Sequence, residues 1–154
     1  MKKVVVIGSG GSGKSTFSRR LCEITGLPVV HLDRLFWHPS WTRTPEDEWR
    51  EVVKRETEKP EWIMDGNFGG TRAMRMQAAD TIIMLDLPRW VCMYRILKRI
   101  LLYRRNSRPD MAEGCHDRFD PEFIVWVWNY RKTSRQKALA ELDELKVAAQ
   151  DRSK

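Results

Sequence analysis

Eight residues near the start of the chain, Gly8-Ser9-Gly10-Gly11-Ser12-Gly13-Lys14-Ser15, fill every fixed position of the pattern G-x-x-x-x-G-K-[ST]. Their setting adds to the constraint. Residues 4–7 are Val-Val-Val-Ile, a continuous β-branched run of the kind buried on both faces of a parallel sheet. Residues 14–25 then place Phe17, Leu21 and Ile24 at helical spacing, with Gly26 where a helix C-terminus takes a left-handed residue. Strand, glycine turn and helix in that order aim backbone N–H groups and the positive end of a helix dipole into one concave turn, which suits phosphate oxygens. Gly8, Ser9, Gly10, Gly11, Ser12, Gly13, Lys14, Ser15 and Thr16 are therefore the candidate nucleotide-binding residues. In this reading Lys14 reaches the β/γ-phosphates, the Ser15 hydroxyl ligates Mg²⁺, and Thr16 bonds a further phosphate.

The rest of the chain alternates strand and helix. Pro28 introduces a second short strand over 29–32, ending at Asp33. Thr44-Pro45-Glu46-Asp47-Glu48 offers an N-cap, a proline at the first helical position and acids in the first turn, which predicts a helix from about 45 to 58. Residues 62–64 form a third strand, ended by Asp65-Gly66-Asn67, and residues 81–87 a fourth, ended by Pro88. This alternation implies a parallel α/β sheet of four or five strands in the order 2-3-1-4, although no fifth strand is legible in 141–154.

Beyond Pro88 a helix is expected with Val91, Tyr94, Leu97 and Leu101 on its apolar face, and with Arg95 and Arg99 one turn apart on another. Residues 106–120 read as a loop. Asp120-Pro121-Glu122 looks like a helix start, while residues 123–128 have strand-like propensity; the cap favours helix. Residues 134–147 predict an amphipathic helix with Ala138, Leu142 and Leu145 inward.

A chain of 154 residues makes one ordinary domain, and 42% hydrophobic residues exclude disorder for most of it. Cys22, Cys92 and Cys115 are widely spaced and odd in number, as for reduced thiols. No apolar run exceeds residues 123–128, far short of the roughly 18 to 20 that a bilayer span needs. The start leaves no room for a secretory signal, so a cytoplasmic location is expected.

Twenty-eight Lys and Arg against twenty-one Asp and Glu leave a charge of +7. Arg89, Arg95, Lys98, Arg99, Arg104, Arg105 and Arg108 supply an equal charge between residues 89 and 108, where no acid occurs. Phosphoryl transfer depends on positioning and on cations around the developing charge, so these arginines suit a lid that completes a phosphate site. A contact surface for the phosphates of DNA or RNA is the alternative.

Ligands of open α/β sheets sit at the carboxyl ends of strands, which singles out the acids there. Asp65 follows an apolar strand, the arrangement that holds Mg²⁺ in phosphate-loop proteins, or else it forms a turn before Gly66. Asp33 either orients and deprotonates an attacking hydroxyl or caps a turn. Asp86 reads as structural. Trp37, with His38 and Trp41, either stacks on an acceptor or packs in the core.

Taken together, these features resemble the nucleoside-monophosphate-kinase group of P-loop proteins. Asp80-Thr-Ile-Ile-Met-Leu-Asp-Leu-Pro88 followed by Arg95 and Arg99 is similar to the adenylate kinase segment leading into its lid, where the matching arginines contact donor nucleotide and transferring phosphates. Trp62-Ile-Met-Asp-Gly66 resembles the adenylate kinase strand ending in Asp-Gly. Where that family continues Phe-Pro-Arg, this chain has Asn67-Phe68-Gly69-Gly70-Thr71-Arg72, which makes Arg72 a shifted match to an acceptor-phosphate ligand. Three stretches also look like the bacterial DNA topology modulation proteins, which are adenylate-kinase-like. They are His31-Leu-Asp33 with Phe36-Trp37, Asp65-Gly-Asn67 with Gly69-Gly70, and Arg108-Pro-Asp-Met-Ala-Glu-Gly-Cys115.

The resemblance implies a three-layer α/β/α P-loop NTPase fold over 1–154 with a lid at about 100–120. It also implies ATP and Mg²⁺ as ligands and a kinase of nucleotide-kinase type acting on a nucleotide or another small acceptor. The site expected from both lines has Lys14, Asp33, Arg95 and Arg99 as catalytic residues, Asp33, Trp37 and Arg72 on the acceptor, and Ser15 and Asp65 at the metal. A nucleotide-regulated DNA-binding protein affecting DNA topology is the competing expectation.

Overall fold

The computed structural model describes residues 1–102, 111–115 and 119–151. Arg104, Arg105 and Arg108 of the basic segment, and much of the expected lid at about 100–120, lie outside the described residues.

The chain opens with β1 (Lys3–Gly8), α1 (Lys14–Thr25), β2 (Val29–His31) and the short α2 (Leu32–Phe36). A two-stranded antiparallel hairpin follows, β3 (Trp37–His38) and β4 (Thr42–Arg43), then α3 (Glu46–Glu58), β5 (Trp62–Asp65), α4 (Gly69–Ala78) and β6 (Thr81–Leu85). The remaining helices are α5 (Arg89–Leu102), α6 (Pro121–Asn129) and α7 (Ser134–Asp151). The main sheet is parallel in the order β2-β5-β1-β6, which is the expected order, and it has four strands among the described residues.

Side-chain alternation along these strands builds the layers. Val4, Val6 and Ile63 point to one face, where Phe17 and Leu21 of α1 cover them together with Leu27. Val5, Ile7, Trp62 and Met64 point to the other, against Met76 of α4 and Ala138, Leu142 and Leu145 of α7. The two central strands are therefore buried on both sides, and this is why their sequences read as unbroken apolar runs. Gly26 ends α1 at φ 75°, its N–H donating to Cys22 O at 2.8 Å.

Several expectations shift. The second strand stops at His31, and Asp33 sits in the first turn of α2 rather than at a strand terminus. The fourth strand stops at Leu85, short of the expected 87. Pro45, not Thr44, occupies the cap position of α3, because the Thr44 hydroxyl is committed to Phe36 O at 2.6 Å. The largest change concerns α5. Tyr94, Leu97 and Leu101 are 66%, 46% and 79% exposed, and Val91 is exposed too. The buried face instead carries Cys92 and Ile96, flanked by Met93 and Ile100, and packs on Val127 and Phe123 of α6. Arg95 and Arg99 lie on the Cys92–Ile96 side of the helical wheel, so turning the arginines toward the cavity turns the larger apolar side chains outward.

Asp120 caps α6 as expected, accepting from Glu122 N and Phe123 N. Among the described residues, no helix is long and apolar enough to cross a membrane.

Candidate functional site

The phosphate loop joins β1 to α1. Gly13 takes the cap position of α1 at φ 90° and provides no side-chain cap, so the first N–H groups of the helix keep their donors for an external anion. Gly11 stands at φ 73°, and a Cβ there would collide with the Cys92 carbonyl oxygen, so α5 seats directly on the loop. Ser12 N donates to Ser9 O at 3.2 Å and closes the turn. The Lys14 ammonium lies across it, donating to Ser9 O at 2.8 Å. Burial pushes Lys14 below the ordinary lysine range; the carboxylate of Asp33 and then that of Asp65 oppose this.

A cavity of about 1200 Å³ opens beside the loop. Gly10, Gly11, Gly13, Lys14, Ser15 and Thr16 line it, as do Asp33, Trp37, Asp65, Arg95 and Arg99. Most of the residues expected from the sequence thus share one enclosure, large enough for a nucleotide and a second ligand. Gly8, Ser9 and Ser12 stand behind the lining. Arg72 does not reach the cavity: it is 3% exposed, and its Nε and Nη2 donate to Glu141 of α7 at 2.7 and 2.9 Å.

Asp65 ends β5 and is buried. Both of its carboxylate oxygens lie 3.0 Å from His31 Nδ1, and His31 ends the neighbouring strand β2 in direct register with it. Asn67, two residues on, reaches back to the last residue of β1: its Nδ2 donates to Gly8 O, and its Oδ1 accepts from Gly8 N at 3.3 Å. Arg75 of α4 is fully buried beneath the same turn and donates to the carbonyls of Gly66, Asn67 and Phe68 at 3.0, 2.6 and 3.3 Å. Burial, with Arg72 adding to it, pulls the Arg75 guanidinium down to about 9, while Glu141 and Asp65 oppose the shift. Phe68 is held at φ 30°, a left-handed conformation rare for an aromatic residue, between this grip and the start of α4.

Sequence reasoning missed His31, Asn67 and Arg75. The strand order carries a signal for His31, because it sets the ends of the second and third strands side by side. Asn67 reads as an ordinary turn residue. Arg75 has no local signal.

The arginines of α5 close one side of the cavity, with Arg95 Nη1 donating to Ser12 O at 3.3 Å. A second group comes from the β3–β4 hairpin and includes Trp37 and Trp41, the candidates for stacking on an acceptor, together with Arg43, to which the sequence assigned no role. Trp41 and Arg43 also line the cavity. Trp37 meets Trp41 edge to face at 5.3 Å, and the Arg43 guanidinium lies 5.7 Å from the Trp37 ring centre. Arg19 of α1 and Met111 also line the cavity.

No protein-family model matches the sequence, and no curated protein matches it. Among solved structures, the crystal structure of a gluconokinase from Sinorhizobium meliloti 1021 is similar, with a TM-score of 0.54 and 16% identity over 99% of this chain and 98% of that one. The likeness is one of fold: this chain has the α/β architecture of a phosphate-loop kinase.

Proposed function

We propose that the chain is an ATP-dependent phosphotransferase that moves the γ-phosphate of ATP onto a small acceptor, a nucleotide or another molecule with a hydroxyl or phosphate group. The observation that carries this reading is one cavity in which the uncapped start of α1 and Lys14 meet Asp33, Asp65, Arg95 and Arg99. Helix N–H groups and Lys14 bind the donor phosphates; Arg95 and Arg99 balance charge on the transferring group. Asp33 orients the acceptor hydroxyl. The acceptor oxygen forms a bond to the γ-phosphorus as the bond from that phosphorus to the bridging oxygen breaks. The electron pair leaves with ADP; where the acceptor is a hydroxyl its proton passes to the Asp33 carboxylate, and an ionised phosphate oxygen attacks with no proton to give.

Among the described residues no cluster of three or more His, Cys, Asp or Glu forms a cage for a metal ion. Ser15 and Asp65 offer two hard oxygen donors at the cavity, the sparse set that suits Mg²⁺ when substrate phosphates and water complete its shell. When bound there, Mg²⁺ supplies neutralisation of the phosphate oxygens. His31 and Arg75 hold the Asp65 turn in place.

Lys14→Ala tests the assignment. ATP turnover is expected to vanish with circular dichroism unchanged, and full activity in the variant would refute the reading. The gluconokinase likeness puts a sugar acid beside nucleotides among the acceptors to try first.

A further inference from the structure

The wall of the cavity formed by residues 33–43 is built more firmly than a surface hairpin requires. Its tip holds Ser40 at φ 61° and Trp41 at φ 58°, and a bulky residue keeps a left-handed conformation only where its surroundings impose it. The surroundings are visible. Trp37 packs edge to face on Phe36 at 4.9 Å, and Phe36 continues into Trp49 and Phe68 at 5.1 and 4.9 Å, which ties the hairpin to the core under α3 and α4. From the other side, Cys115 Sγ donates to His38 O at 3.2 Å, and Gly114 lies close against Pro39.

This wall presents a corner of two indoles beside the Arg43 guanidinium, and Arg19 of α1 lines the same cavity, as do the carboxylates of Asp33, Asp65, Asp120 and Glu122. Neither Arg43 nor Arg19 has an ion-pair partner among the described residues, whereas Arg72, Arg131 and Arg135 are each paired to a carboxylate. Asp33, at the start of the same stretch, lines the cavity together with Lys14 of the phosphate loop.

We propose that Trp37, Trp41 and Arg43 form the acceptor subsite and that the acceptor is an anion. Its carboxylate or phosphate group binds Arg43, with Arg19 as a second cation; its body lies against the two indoles, and its reacting hydroxyl faces Asp33. The subsite rests on the kinase reading for its chemistry, but its binding can be measured without turnover.

The experiment pairs anions with neutral counterparts: gluconate with glucitol, and AMP with adenosine. A nonhydrolysable ATP analogue saturates the donor site for binding, followed by tryptophan fluorescence, and ATP replaces it for ADP release. The expected result is saturable quenching and turnover with an anionic member and not with its neutral partner. The anion that works distinguishes a sugar-acid source from a nucleotide source. Arg43→Ala raises the acceptor Kd and KM about 10- to 100-fold, the worth of one charge-assisted hydrogen bond, with kcat changed less than about threefold and the KM for ATP unchanged. Arg43→Lys, which keeps the charge and loses the planar fork, falls between. Anion binding that depends on Arg43 without ADP release would uphold the subsite and refute the kinase reading. Equal turnover of a neutral partner, or an acceptor KM indifferent to Arg43→Ala, would uphold the kinase and overturn the subsite. Absence of quenching by either anion would also overturn it.

Discussion

Arg75 shows how a residue outside the cavity can govern what happens inside it. Replacing it by methionine keeps the volume of the side chain and removes every donor from the turn that carries Asp65 and Asn67. The bond to the Gly66 carbonyl is fully buried, so its loss costs about 2 kcal/mol, and the two part-buried carbonyls of Asn67 and Phe68 together cost about 1 to 2 kcal/mol more. Against this stands relief from holding a buried charge beside Arg72, the burial that draws the guanidinium down to about 9. The net loss is about 2 to 3 kcal/mol, which for a chain of this size lowers Tm by about 4 to 12 °C. Thermal and urea unfolding measure it directly. A second readout separates the turn from general instability: with its carbonyls released, the turn loses its hold on Asp65 and on the Asn67 clamp at Gly8, so ATP affinity falls at temperatures well below Tm. Arg75→Lys, whose single ammonium cannot fork across three carbonyls, is expected to recover part of both losses. A Tm within about 1 °C of the parent protein, together with unchanged ATP binding, would refute the reasoning.

Glu141→Leu strands the buried Arg72 guanidinium and is expected to cost about 3 kcal/mol in urea unfolding, most of it recovered in the double variant Arg72→Met/Glu141→Leu. Failure of the second substitution to rescue the first would argue against an isolated pair. Gly11→Ala imposes a left-handed alanine and drives its methyl group into the Cys92 carbonyl, so both Tm and ATP affinity should fall, the backbone strain alone costing about 1 kcal/mol. Parent-like values of both would show that α5 can move off the loop freely. Tyr130 has a buried hydroxyl with no hydrogen-bond partner among the described residues, and burial pushes it up to about 12. Below pH 10 the phenol is neutral in both the folded and unfolded states. Between about 10 and 12 the unfolded chain ionises first, so stability falls across that window. Tyr130→Phe should flatten that part of the stability profile and remove the late absorbance change at 295 nm; an unaltered profile would contradict the assignment.

The donor half of the site was legible because its signals are local. The loop motif, the β-branched run before it and the glycine closing α1 each act on their immediate neighbours, and the sheet order follows from runs buried on both faces. Asp120 likewise settled a local conflict: its carboxylate holds two backbone N–H groups and outweighs the strand-like side chains that follow. What escaped depends on contacts between distant residues. His31 meets Asp65 across thirty-four positions and Asn67 meets Gly8 across fifty-nine, and neither pair leaves a trace in local periodicity. The orientation of α5 escaped for another reason. Both of its faces are apolar enough to be buried, and the one carrying Tyr94 and Leu97 has the larger side chains, but contact with the phosphate loop selects the other. The hairpin at 37–43 has strands of two residues each, too short for any alternation to register.

Asn67 stitches the end of β1 to the turn after β5, so the phosphate loop and the Asp65 turn are anchored to one another. Residues 33–43, by contrast, form one uninterrupted stretch of chain inserted between β2 and α3. Under the proposed assignment, acceptor selectivity is concentrated in one stretch of chain: replacing residues 37–43, with Asp33 and Phe36 kept, would change the acceptor while the phosphate loop and the Asp65 turn stay as they are. A chain with this layout can diversify its chemistry by changing one short patch, without disturbing the parts that must stay constant to handle ATP.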